Sequence, residues 1–109
     1  MIEWFVKTVD LSVNFDKLVA MLVAEGIPFE TGELHGGKDI KIPNREAWTN
    51  KEDKAISVVC HPYSYGGDAG LLEIYVPSLN EGVEGFLDAE YTLEYIKDSL
   101  KGISRGSIG

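Results

Sequence analysis

Two apolar stripes at helical spacing bracket a series of short strand-like segments, and this order constrains the fold more than any other feature. The first stripe predicts a helix over about 13–25, with Gly26 and Pro28 at its end. The second stripe predicts a helix over about 88–101 that begins at the N-cap residue Asp88. The members of the two stripes are Phe15, Leu18, Val19, Leu22 and Val23, and then Ala89, Leu93, Ile96 and Leu100.

Between these helices lie segments rich in β-branched and aromatic residues, which is the composition of strands. They cover 29–34, 38–42, 55–61, 71–76 and 83–87, and a further segment, 2–9, precedes the first helix. Gly36-Gly37 predicts a hairpin turn between the first two segments. Runs of strands flanked by helices predict an α+β fold, with a mainly antiparallel sheet of about four to six strands and both helices packed on one face.

The strand segments differ in polarity, and this predicts their places in the sheet. The segment 55–61 is apolar enough to be a central strand, and 83–87 is a short edge strand. Lys41 alternates with two isoleucines, which predicts that one face of its strand is wet. The polar residues 44–54 predict a loop or a single helical turn.

The chain has 109 residues, of which 44% are apolar and 26% are charged. This composition is ordinary for a soluble globular protein, and we expect one domain over 1–102 with a flexible tail at 103–109. The single cysteine excludes an internal disulfide framework, and no apolar run approaches the roughly 18 residues of a membrane span. The N-terminus lacks a signal-peptide pattern, so we expect a cytoplasmic protein.

The net charge is −8, and it is concentrated in 55–96, which holds seven acidic residues and no Lys or Arg. Such a field repels duplex nucleic acid and anionic membranes and favours a basic partner. The candidate partner-binding acids are Asp68, Glu81, Glu84, Asp88 and Glu90. The alternative is a solvated acidic face that only aids solubility.

No arrangement of residues in the sequence is typical of catalysis or of metal binding. Cys60 and His61 are neighbours on a predicted strand, so their side chains point to opposite faces and do not form a nucleophile–base pair. Together with His35 they provide three candidate ligands, too few to predict a zinc site. We therefore expect a protein that is not an enzyme and that carries no metal or cofactor.

The most distinctive motif is the connection 62–70, which contains two tyrosines and three glycines. Tyrosine offers a large contact area with a polar tip, and glycine lets backbone amides approach a ligand closely. Such a loop suits stacking on a base or gripping a protein; alternatively, its tyrosines pack over the sheet edge and its glycines only shape the turn. The candidate ligand-binding residues are Tyr63, Tyr65, Gly66, Gly67 and His61 in or beside this loop, Trp48 for stacking, and Lys38 and Arg45 for phosphate.

Four segments of the sequence carry a resemblance to known proteins: 24–30, 58–62, 63–74 and 85–90. The stretch 60–74, which overlaps the second and third of them, is the most specific part of that resemblance. These segments resemble a group of small uncharacterised proteins encoded in phages and prophages of Firmicutes. No activity is established for that group, so the resemblance implies no catalytic residues. It implies an accessory phage protein that acts by binding.

We therefore expect a phage-encoded counter-defence protein that sequesters a nucleotide-derived immune signal, with aromatic rings on the base and Lys38 or Arg45 on phosphate. The alternative is an acidic inhibitor that blocks a basic, nucleic-acid-binding surface of a host defence protein. A small enzyme and a virion component are further alternatives. Because one small sheet offers little concave volume, we also expect a homo-oligomer.

Overall fold

The computed structural model describes residues 12–79 and 82–102. Its helices are α1 (Val13–Glu25), α2 (Arg45–Thr49) and α3 (Ala89–Leu100), and its strands are β1 (Glu30–Leu34), β2 (Gly37–Ile42), β3 (Ile56–Cys60), β4 (Leu72–Tyr75) and β5 (Val83–Leu87). The strands form one antiparallel sheet in the order β1-β2-β3-β4-β5. The predicted α+β fold is confirmed, with β3 at the centre. The predicted strand at 2–9 and the predicted tail at 103–109 lie outside the described residues.

The two long helices have the ends that the sequence predicts. Gly26 follows α1 with φ of 70°, in the left-handed region that glycine adopts easily, and its N–H donates to the carbonyl of Val23 at 3.1 Å. The carboxylate of Asp88 accepts the backbone N–H of Tyr91 at 2.8 Å and so caps the N-terminus of α3. Both helices are therefore fixed by local signals that the sequence carries.

A single apolar core joins the sheet to both long helices. Cross-strand register places Ile40, Val58 and Ile74 opposite one another on the same face of the sheet. The fully buried residues of this core include Leu18 and Leu22 of α1, Ile40, Val58, Leu72 and Ile74 of the sheet, and Ile96 of α3. Burial of each such side chain stabilises the fold by about 1.5–3 kcal/mol. α1 and α3 also contact each other, as expected if both helices pack on the face that these residues share.

The far face of the sheet, which we define by Gly32, Asp39, Lys41, Ser57, Val59, Glu73 and Tyr75, differs from the sequence expectation. Asp39 and Lys41 are buried, with 2% and 5% of their surface exposed, so the prediction of a wet face at Lys41 is wrong. The reason is α2, whose Trp48 ring lies 5.3 Å from the Lys41 ammonium and whose Arg45 side chain reaches Asp39. A short helix in a polar segment thus covers a charged strand.

No helix in the described part of the chain is both long enough and apolar enough to cross a membrane.

Candidate functional site

The connection between β3 and β4 is a compact, hydrogen-bonded turn rather than an open loop. The Ser64 hydroxyl accepts the N–H of His61 at 3.0 Å and donates to the carbonyl of the same residue at 2.9 Å. The N–H of Gly67 donates to the carbonyl of Ser64 at 3.1 Å, and a Cβ at Gly67 would overlap the carbonyl of His61. Only glycine fits this close approach, so Gly67 shapes the turn.

Asn14 of α1 ties this turn to the last helix. Its amide oxygen accepts the N–H of Ala89 at 3.0 Å, and its amide nitrogen donates to the carbonyl of Gly70 at 3.3 Å. The sequence does not indicate this role for Asn14, because its two partners lie 56 and 75 residues away. The turn is therefore held by a side chain whose role depends on the tertiary fold.

Three large aromatic side chains project from this region: Tyr63, Tyr65 and Phe86, which we call the aromatic ridge. Their surfaces are 82%, 61% and 67% exposed, respectively. The N–H of Phe86 donates to the carbonyl of Tyr65 at 3.1 Å, which joins the turn to β5. The N–H of Tyr65 in turn donates to a carboxylate oxygen of Glu73 at 2.8 Å. The side chains are exposed, yet their backbone is pinned.

Phe86 adopts a backbone conformation that costs free energy. Its φ is 60°, in the left-handed region, and it lies where the register between β4 and β5 shifts between Leu72 and Ile74. A bulky residue rarely takes this conformation, which costs about 1–2 kcal/mol relative to a right-handed one. Bulges of this kind redirect a side chain, and here the redirected side chain points to solvent. The sequence gives no sign of Phe86 as a site residue beyond its place in a predicted edge strand.

Tyr63 also belongs to a group of three rings with His35 and His61. The ring centroids of His35 and His61 lie 5.2 Å apart, and Tyr63 lies 6.4 Å and 6.2 Å from them. The Nδ1 atom of His61 accepts the backbone N–H of Tyr63 at 3.1 Å. The predicted site residues Tyr63 and His61 are therefore neighbours, in agreement with their proximity in the sequence.

A cleft of about 340 Å³ opens between the start of α1 and the turn, and three of the predicted ligand-binding residues line it. Lys38, His61 and Gly67 line it together with Phe15. The Lys38 ammonium lies 5.5 Å from the centre of the Phe15 ring and 4.0 Å from the carboxylate of Asp16. The cleft is thus apolar with one cation at its rim, and that cation already faces an acid.

Two other predicted ligand residues, Arg45 and Trp48, lie on the far face, so the structure does not assemble the predicted set. Arg45 is paired with Asp39 on the far face, whereas Lys38 lies in register with Cys60 and packs toward Phe15 on the core face. Successive residues of a strand point to opposite faces, which separates Lys38 from the Arg45–Asp39 pair. Trp48 lines another cleft, on the far face.

The backbone amides of the turn are also largely committed. The N–H groups of 61, 63, 64, 65, 67, 69, 70 and 71 all donate to acceptors within the turn or in β4. The sequence predicts binding at Gly66 and Gly67 because glycine lets backbone amides approach a ligand closely. Here the two glycines instead shape the turn: Gly66 has φ of 88°, and its carbonyl accepts two of these N–H groups.

The predicted partner-binding acids have different environments. Asp68 is exposed at the cleft, and Glu84 is half-buried on β5. Asp88 caps α3, and Glu90 forms an ion pair with Lys17 whose hydrogen bond lowers the pKa of the Glu90 carboxyl. Glu81 lies outside the described residues. Asp68 and Glu84 are therefore the better placed of these acids to face a partner.

Cys60 is 8% exposed, and its sulfur lies 4.0 Å from the carbonyl oxygen of Gly67. Burial raises the pKa of the Cys60 thiol, and the charge of Lys38 opposes that shift only partly. A raised pKa is typical of a structural cysteine rather than of a nucleophile. Across 12–79 and 82–102, no group of three or more His, Cys, Asp or Glu side chains is placed to hold a metal ion.

Comparison with known proteins gives no match: no family model, curated protein or solved structure is similar to this chain. The resemblance to phage-encoded proteins of Firmicutes therefore stays a prediction from the sequence.

Proposed function

We propose that this chain is a non-enzymatic binding protein that docks its aromatic ridge onto a basic protein surface. The observation that carries the proposal is the exposure of Tyr63, Tyr65 and Phe86, all above 60%, on a backbone that is pinned by hydrogen bonds. This proposal develops the acidic protein–protein inhibitor that the sequence offers as an alternative, and it adds Tyr63, Tyr65 and Phe86 to the acidic contact residues expected there.

Exposed aromatic residues of this kind support a protein interface. Tyrosine is enriched among the residues that dominate binding free energy, and it buries a large area while ordering few torsions. A pinned backbone lowers the entropy that is lost on binding. The strain at Phe86 supports the same interpretation, because a left-handed phenylalanine with 67% of its surface exposed buries little area to offset its cost.

The charge of the chain supports a basic partner. Asp68 lies in the same turn as the ridge tyrosines, and the whole chain has a net charge of −8. Opposite charge around an aromatic centre accelerates association and selects against acidic surfaces. A host defence protein with a nucleic-acid-binding surface has this chemistry, and it is the partner that the resemblance to phage proteins suggests.

The experiment compares capture of binding partners by the wild-type chain and by Phe86→Asn. Asparagine tolerates the left-handed conformation, so thermal unfolding is expected at the same temperature or higher. Capture of a nucleic-acid-binding protein from a Firmicutes host lysate is expected to fall about tenfold or more, because one of the three exposed rings of the ridge is lost. The measurement is quantitative mass spectrometry of the bound fraction at low and at high salt.

Val23→Ser is the matched control, since Val23 is an exposed apolar residue on α1 with 66% of its surface accessible. It is expected to capture the same partner as the wild type. A partner that is retained by Phe86→Asn, or that is lost equally by Val23→Ser, would argue against the ridge. A partner held equally at both salt concentrations would argue against the basic surface.

A second candidate function has its own observation, the cleft beside the turn. Its volume of about 340 Å³ suits a small ligand, and its Phe15 floor and Lys38 rim suit a base and a phosphate. This second function is the predicted sequestration of a nucleotide-derived immune signal. Only some of the predicted ligand-binding residues lie at the cleft that would bind it. A ligand larger than one nucleotide would need a homo-oligomer to enclose it.

Calorimetric titration with cyclic and ADP-ribose-type nucleotides tests this second function. If the cleft binds one of them, Lys38→Met is expected to weaken binding about tenfold, because it removes the charge opposite phosphate. Lys101→Met, which changes an exposed lysine after α3, is the control and is expected to bind like the wild type. Absence of heat across the whole panel would remove the second function and leave the first one standing.

A further inference from the structure

A second cleft, on the far face of the sheet, is separate from the ridge and from the cleft beside the turn. Its volume is about 510 Å³, and it lies between the end of α2 and the end of β4. Its aromatic walls are Trp48 and Tyr75, whose ring centroids lie 6.1 Å apart with the rings at 80° to each other. Tyr75 is 38% exposed, and Trp48 is half-buried. The cleft therefore presents aromatic surface to solvent.

The Trp48 wall is held in place by the buried charges beneath it. The Lys41 ammonium lies 5.3 Å from the Trp48 ring centre and is itself held by Asp39 at 2.7 Å and by Ser57 at 3.0 Å. At the start of α2, the Asn44 side chain accepts the N–H of Ala47 at 2.8 Å. A wall fixed from below in this way needs little further ordering when a ligand binds.

The polar lining of the cleft favours a cation. Glu52 and Asp53 line it together with Lys51, which leaves an excess of one negative charge. Neither acid forms an ion pair within the described ranges 12–79 and 82–102. Ala55 and Pro77 add apolar lining suited to the alkyl part of a ligand. Aromatic walls beside unpaired carboxylates match the chemistry of guanidinium and alkylammonium groups.

We propose that the cleft lined by Trp48 and Tyr75 binds an organic cation, a guanidinium or an alkylammonium group, with Glu52 and Asp53 as its counter-charges. A cation over an aromatic ring gains about 0.5–2 kcal/mol, and a neighbouring carboxylate adds to this attraction. Anionic ligands are disfavoured by the same two acids. The cation belongs either to an arginine side chain of a peptide or to a small free molecule, and the two sources share this chemistry.

The test follows the indole N–H signal of Trp48 by NMR, assigned with Trp48→Phe, during titration at about 0.15 M salt, where longer-range charge effects are screened. Two probe pairs differ only in charge. The guanidinium pair is acetyl-arginine methylamide and its citrulline analogue, and the ammonium pair is choline and 3,3-dimethylbutan-1-ol. We expect a saturable shift with at least one cation and about tenfold weaker binding of its neutral analogue.

Three variants locate the site. Tyr75→Leu removes one wall, and Glu52→Gln with Asp53→Asn removes the counter-charges; each is expected to weaken binding about fivefold or more. Glu46→Gln is the matched control, because Glu46 is an exposed acid of α2 that does not line the cleft. It is expected to bind like the wild type.

The outcomes answer two questions: whether the cleft binds a cation at all, and which kind of molecule supplies that cation. Tighter binding of the arginine probe indicates a peptide side chain, and tighter binding of choline indicates a free alkylammonium; both support the cleft. Equal binding of charged and neutral probes, an absence of saturation, or an equal loss in Glu46→Gln would overturn the proposal. Such a result would not affect the proposal for the aromatic ridge, because the ridge and the cleft share no residue.

Discussion

Replacing Asp39 with alanine is expected to destabilise the fold by about 3–5 kcal/mol, because it leaves the buried ammonium of Lys41 without its partner. The side chains of Asp39 and Lys41 are only 3% and 7% exposed, and their charged atoms lie 2.7 Å apart. Arg45 also bonds Asp39, but its side chain is 42% exposed and regains water when the partner is lost. The measurement is urea unfolding followed by circular dichroism, with the slope compared between variants.

The matched control replaces both charges, as Asp39→Leu with Lys41→Met. Apolar replacements of a buried pair are often neutral or stabilising, so this double variant is expected within about 1 kcal/mol of the wild type. The two single losses would then be strongly non-additive. If Asp39→Ala costs less than about 1 kcal/mol, the ion pair is not buried as described. The inference that this pair holds the Trp48 ring in place would then also be wrong.

The same ion pair makes the stability of the fold depend on pH in the acid range. Burial alone would raise the pKa of Asp39, yet the hydrogen bonds and charges of Lys41 and Arg45 together lower it below its ordinary value of 3.8. A carboxyl whose pKa is lower in the folded state stabilises the fold at all pH values above its unfolded pKa. That contribution is lost as the pH falls below about 4 and through the folded pKa. The double variant should therefore lose less stability in acid than the wild type.

The helices and strands could be predicted because their signals are local. Apolar residues at spacings of three and four, and caps such as Asp88 and Gly26, act within a few residues, and the structure confirms them. The environment of Lys41 could not be predicted in the same way. A strand with alternating lysine and isoleucine has a wet face unless something covers it, and the cover comes from α2.

The candidate site was predictable in part for the same reason. Tyr63 and His61 stay neighbours because they are close in the chain. The separation of Lys38 from Arg45 follows from strand alternation and from the path of α2, and only the first of these is visible in the sequence. Phe86 joins the ridge through a bulge, and a bulge depends on pairing between β4 and β5. Contacts between elements that are distant in the sequence therefore determine the parts of the candidate site that residue spacing cannot predict.

Replacing Gly37 with alanine is expected to destabilise the fold by about 3 kcal/mol, because the added Cβ would overlap the backbone of β3. The atoms it would meet are the carbonyl oxygen of Cys60 and the Cα of His61. These are backbone atoms and cannot rotate away, so the hairpin must shift as a unit. The shift would also narrow the cleft that Gly37 lines.

Its neighbour Gly36 is the control. An added Cβ has open space at Gly36 but a strained backbone angle, whereas at Gly37 the space is occupied by backbone atoms. Its φ is 82°, and a Cβ there would meet nothing within 4 Å. Gly36→Ala is therefore expected to cost only the left-handed backbone penalty, about 1–2 kcal/mol. Urea unfolding of both variants checks the difference. Should Gly36→Ala prove the more costly of the two, the close approach of β2 to β3 at the cleft is wrong, because strain at a free position would then outweigh a backbone overlap.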